Sequence, residues 1–129
     1  MADELGIGGY CTFPGLRQDL PDLYGAMDVF VLPSHREGFP RTPMEASAMG
    51  VPTMVTDIRG CRETVDHGEN GLLFPVADAD TLAQSLITLL RDDERRAQMG
   101  ETGRRIAEDR FDEQKVFERV LSEYERLLP

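Results

Sequence analysis

Pro33-Ser34-His35-Arg36-Glu37-Gly38-Phe39-Pro40-Arg41-Thr42-Pro43-Met44-Glu45-Ala46 joins an apolar run to a helix-forming run. The apolar run is Val29-Phe30-Val31-Leu32, continuous in the way of a strand buried on both faces of a parallel sheet. The helix-forming run, Pro43 to Met49, stops at Gly50. Thr42 suits the N-cap, and Pro43 then occupies the first helical position, where its missing N–H is not needed. A strand followed by a loop and a helix start is ligand-holding ground, because open α/β sheets bind ligands outside the carboxyl ends of their strands.

The loop carries two carboxylates, Glu37 and Glu45. Gly38 permits a sharp turn and close approach of a ligand to backbone. Free amides at the helix start, with the helix dipole, make a place for a phosphate. A carboxylate only accepts hydrogen bonds and can take two at once, which matches a vicinal diol. Glu45 is placed to hold a ribose, and Glu37 to face a sugar beyond the phosphates. Two other readings stay open. Thr42-Pro43-Met44-Glu45 also matches a capping box, with Glu45 bonding back to the Thr42 amide. Glu37 also reads as a solvated acid paired with Arg36 or Arg41.

Outward from this segment, strands and helices alternate. Tyr10–Phe13, Val29–Leu32, Pro52–Thr56 and Leu72–Phe74 read as strands, and Leu20–Met27 and Cys61–Val65 as short helical segments. Asp78 caps a predicted helix over Ala79–Leu90, a second fits Asp93–Glu108, and Asp112 caps a third that runs to Leu128. The expectation is an α/β fold: an incomplete Rossmann-like parallel sheet of about four strands, helices on both faces, and C-terminal helices. The 129 residues suit a single domain, with an α/β part over about 5–75 and a helical part over 76–129.

A second loop, Thr56-Asp57-Ile58-Arg59-Gly60-Cys61-Arg62-Glu63, leaves the next strand and should lie beside the first. Arg36, Arg41, Arg59 and Arg62 cluster in an otherwise acidic half. That suggests either an anion site or solvated loop arginines. Arg59 and Gly60 are the phosphate-side candidates. The net charge of −10 argues against nonspecific nucleic-acid binding. No apolar run is long enough to span a membrane, and the acidic start, Met1-Ala2-Asp3-Glu4, does not read as a signal peptide. A cytoplasmic location is the expectation. Cys11 and Cys61 do not form a disulfide framework, and Cys61 reads as an inert or a reactive thiol. His35 and His67 have no partners at metal-ligand spacing, so no metal site is expected. Neither a phosphate-binding Gly-Lys loop nor a nucleophile–His–Asp pattern is visible.

Several blocks together resemble one family. They are Asp28 to Ser34, Glu37-Gly38-Phe39, Met44-Glu45-Ala46, Gly50-Val51-Pro52, Thr56-Asp57, Gly60, Glu63, Gly68 and Asn70-Gly71-Leu72-Leu73. This pattern, over about residues 5–128, resembles the C-terminal half of retaining glycosyltransferases of the GT-B fold, closest to their "group 1" family. Two glutamates separated by seven residues are that family's signature. The resemblance implies a nucleoside diphosphate sugar as donor, transfer with retention, and no metal or other cofactor. It implies that Glu45 holds the ribose and that Glu37 is the catalytic candidate at the donor sugar. Gly38, Phe39, Pro40, Arg41, Thr42 and Met44 complete the implied donor set.

The chain departs from the family at Pro40, where a glycine is frequent, and a backbone donor is lost there. It also lacks the upstream Gly-Arg…Lys block that grips the diphosphate, and the N-terminal acceptor-binding domain. The isolated chain is therefore expected to be inactive. A free sheet edge or the last helix is expected to drive self-association or assembly with another chain. The alternatives are a sugar-nucleotide epimerase or phosphorylase relative, or a non-catalytic nucleotide-sugar-binding module.

Overall fold

The computed structural model describes residues 1–128. Along the chain run α1 (Leu20–Gly25), β1 (Phe30–Leu32), α2 (Arg41–Ala48), β2 (Thr53–Thr56), α3 (Arg59–Arg62), β3 (Gly71–Phe74), α4 (Ala79–Leu90), α5 (Asp93–Arg110) and α6 (Glu113–Leu127). The strands are parallel, in the order β1-β2-β3, so β2 is central and buried throughout.

Register and alternation distribute the core. Val31, Met54 and Leu72 lie across from one another, as do Leu32, Val55 and Leu73. Successive side chains point to opposite faces, so the two rows face opposite ways. The first row packs with Leu82, Leu86 and Leu89 of α4 and Met99 of α5. The second packs with Cys61 of α3 and with Val65. Tyr24 of α1 and Ala46 of α2 close a third cluster with Phe30 and Val51. Helices thus cover both faces of the sheet.

Two helix caps follow the sequence reading. Asp78 accepts from the Thr81 amide at 2.9 Å, and Asp112 accepts from the Gln114 amide at 2.8 Å. The glycines of α5 let it lie tightly against α2. A Cβ on Gly100 would sit 2.1 Å from the Gly50 carbonyl oxygen, and one on Gly103 would meet Ser47 Cβ at 3.5 Å.

The structure corrects several expectations. The sheet has three strands among the described residues, because Tyr10–Phe13 is not a strand. A 3-10 turn covers Gly8–Tyr10, and Tyr10 and Phe13 are 91% and 80% exposed. A strand needs a neighbour's hydrogen-bond ladder, and no described strand lies beyond β1 to supply one. The helix after the loop begins at Arg41, not Pro43. Pro40 is its N-cap, with φ −72° and ψ 129°, close to the value the proline ring imposes. Thr42 is therefore the second helical residue and Pro43 the third. The helical turn expected from Cys61 starts at Arg59, and α1 ends at Gly25 before reaching Met27. The helix expected to end at Glu108 continues to Arg110.

The apolar stripe read on the last helix forms but is uncovered. Val116, Phe117, Val120, Leu121, Tyr124 and Leu127 are all exposed.

Candidate functional site

The loop between β1 and α2 leaves the carboxyl end of an edge strand, and α3, which follows β2, packs against it. The contact is backbone on backbone. A Cβ on Gly60 would lie 2.5 Å from the Gly38 carbonyl oxygen and 2.6 Å from that of Glu37. Gly60, the second residue of α3, is buried, and its missing side chain is what lets the loop and the helix meet. The expectation that the 56–63 segment lies beside the first loop is met.

Glu37 is half-buried, and its Oε1 accepts from Ser34 Oγ at 2.6 Å. Glu45 accepts from the Tyr24 hydroxyl through Oε2 at 2.9 Å, while Arg41 Nε lies 3.7 Å from Oε1. Glu45 is the fifth residue of α2, a turn beyond the helix start. The capping box therefore does not form, and no side chain caps α2. The amides of Arg41 and Thr42 lack intrahelical acceptors by position. Two carboxylates, each oriented by a hydroxyl, flank an open helix N-terminus.

Tyr24 is 5% exposed. Burial, reinforced by the hydrogen bond to Glu45, pushes its phenol up to about 12. The group stays protonated and remains a donor to the carboxylate. Glu45 lines two open depressions, of about 320 and 390 Å³. Met44, Ala107 and Phe111 line the first, and Gln18, Pro21 and Met49 the second. Phe39 is 53% exposed and packs edge-on against Phe111 at the α5–α6 corner, with ring centroids 6.1 Å apart.

The arginine cluster divides. Arg62 Nε bonds Asp57 Oδ1 at 2.5 Å, which holds that carboxyl below its usual range. Arg41 leans on Glu45. Arg36 and Arg59 are exposed and make no ion pair among the described residues. Cys61 is fully buried, and burial with the nearby Glu37 charge pushes its thiol up, so it is a poor nucleophile. His67 Nδ1 accepts the Leu73 amide at 2.9 Å and braces the turn before β3. No group of three metal-ligating side chains forms among the described residues.

Sequence reading missed Tyr24, Ser34, Phe111 and Thr56, whose hydroxyl donates to the Ser34 carbonyl at 2.7 Å. Ser34 and Glu37 are three residues apart, a spacing at which a hydroxyl commonly reaches a neighbour, so that pair had a local signal. Tyr24 and Glu45 are 21 residues apart and meet only through tertiary packing.

The sequence profile of the group 1 glycosyl transferases matches residues 1–106. A capsular polysaccharide biosynthesis glycosyltransferase of Staphylococcus aureus, CapM, is 36% identical over 105 residues, covering 81% of this chain and 28% of its own length. HepE of Anabaena, solved in complex with UDP-glucose, superposes with a TM-score of 0.86 at 31% identity, over 94% of this chain and 35% of its own. The sucrose-phosphate synthase of Thermosynechococcus elongatus reaches a TM-score of 0.92 at 30% identity, over 98% and 32%. The chain thus spans about a third of the length of these proteins. With a parallel α/β architecture and a profile match over most of its length, the chain belongs to the group 1 glycosyltransferase family and carries a C-terminal part of its GT-B fold.

Proposed function

We propose that this chain forms the donor side of a retaining glycosyltransferase that moves a sugar from a nucleoside diphosphate to an acceptor. The observation that carries the reading is the uncapped start of α2 between two oriented carboxylates, Glu37 and Glu45. A phosphate at this helix start meets the Arg41 and Thr42 amides and the positive end of the dipole. Glu45, which lines two depressions, accepts from the ribose hydroxyls. Glu37 accepts from hydroxyls of the donor sugar and is the catalytic candidate. Gly38, Phe39, Pro40 and Met44 shape the walls, and Arg59 with Gly60 lies on the phosphate side. The UDP-glucose bound to the similar HepE supports this donor class.

The acceptor side belongs to a further domain, in line with the chain's spanning a third of its relatives' length. The apolar face of α6 meets that remainder of the enzyme. Alone, the chain binds nucleotide but transfers no sugar.

Calorimetric titration with UDP tests the reading. Binding is expected in the millimolar range. Glu45→Ala should abolish it with helix content unchanged. Binding that survives Glu45→Ala, or no binding at all, overturns the assignment.

A further inference from the structure

Glu37 sits on a loop, yet the structure holds it from several directions. Ser34 Oγ donates to its Oε1 at 2.6 Å. The backbone that carries Ser34 is tied to the sheet. Thr56, at the end of β2 and 1% exposed, directs its hydroxyl to the Ser34 carbonyl at 2.7 Å and the Leu32 carbonyl at 3.1 Å. Gly60 supports the Glu37–Gly38 peptide from below. The chain of contacts therefore runs from a buried strand hydroxyl to the loop backbone, then from the Ser34 hydroxyl to the carboxylate.

We infer that Ser34 is the positioning residue that aims Glu37 at the donor sugar, with Thr56 holding the backbone from which Ser34 reaches. This rests on the donor-site reading above. An unrestrained glutamate loses rotamer freedom when a ligand engages it, and that loss subtracts from affinity. Ser34 restrains the side chain before the ligand arrives. It occupies one carboxylate oxygen and leaves Oε2, which has no hydrogen-bond partner among the described residues, to accept from sugar hydroxyls. A hydroxyl suits the task because it donates without adding charge beside the diphosphate.

Two measurements on this chain test the role. Relaxation of the Glu37 side-chain carbons by NMR, without ligand, should show an ordered side chain in the wild type and in Ser34→Thr, and a mobile one in Ser34→Ala. Calorimetry with UDP and with UDP-glucose should then separate nucleotide affinity from the increment the sugar adds. Ser34→Ala should leave UDP affinity unchanged and reduce the sugar increment by about three- to tenfold, the scale of one restrained side chain. Ser34→Thr should restore it. A Glu37 side chain as ordered in Ser34→Ala as in the wild type overturns the Ser34 role. So does a sugar increment lost in Glu37→Ala but kept in Ser34→Ala. A wild type that binds neither ligand, or an increment untouched by Glu37→Ala, brings down the donor-site reading and the sugar-aiming role with it.

Discussion

The Tyr24 hydroxyl of α1 donates to Glu45 Oε2 of α2 across 2.9 Å. The bond ties the proposed ribose-binding carboxylate to a helix that precedes β1. It also uses the tip of a tyrosine whose ring is in the core beside Phe30, with centroids 6.0 Å apart. One residue therefore serves packing through its ring and the site through its hydroxyl. Tyr24→Phe keeps the ring and deletes the bond. It should cost about 0.5–1.5 kcal/mol in chemical denaturation. It should also weaken UDP binding less than Glu45→Ala does. A Tyr24→Phe chain that binds UDP as the wild type does would show that Glu45 needs no such support.

The same contact makes a pH prediction. Tyr24 titrates near 12 in the folded chain because burial and Glu45 disfavour the phenolate, against about 10 when unfolded. Between these values the folded state holds a proton the unfolded state has lost. Stability from this group is fully present below pH 10 and is lost as pH rises toward 12. Phenolate absorbance should show a late transition from Tyr24, near 12. Glu45→Gln should bring the late transition earlier.

Gly60 is where α3 touches the β1–α2 loop. Ala there would press its Cβ to 2.5 Å from the Gly38 carbonyl oxygen, a backbone atom that can move only if the loop moves. Gly60→Ala should destabilise the fold by about 1–3 kcal/mol. It should also weaken nucleotide binding beyond what the stability loss explains. Gly25→Ala, at a position with open space around it, is the control and should be tolerated in both assays.

The uncovered face of α6 predicts behaviour of the isolated chain. Phe117 and Leu121 are 57% and 59% exposed, and the outer edge of β1 has no described neighbour. The chain should self-associate in light scattering at high concentration. Phe117→Ser with Leu121→Ser should shift it toward monomer. A wild-type chain that stays monomeric would count against this face needing cover.

Much of the fold was legible because its signals are local. Val29–Leu32 read as a strand from its apolar run alone, although as β1 at the sheet edge it is half-buried and not buried on both faces, and Asp78 and Asp112 announced their helices by capping chemistry. The failures are those of local rules that neighbours overrode. Tyr10–Phe13 has strand composition but no partner to pair with. Thr42 has N-cap chemistry, yet Pro40, already in extended conformation and buried, starts the helix two residues earlier. The capping-box reading of Glu45 fell with that shift, because Glu45 then lies too far along α2 to reach back.

The sequence by itself determined the parallel α/β order, the two glutamates on a strand–loop–helix, and the family. The first two follow from periodicity, turn chemistry and spacing, and the family from the resemblance of its motif blocks, all carried by residues close along the chain. Only the tertiary structure decided which groups hold the glutamates. Tyr24 reaches Glu45 from another helix, Thr56 reaches Ser34 from another strand, and Gly60 of α3 packs against the Glu37 backbone. Such contacts arise when a shared core brings distant segments within hydrogen-bond reach, and no local pattern records them.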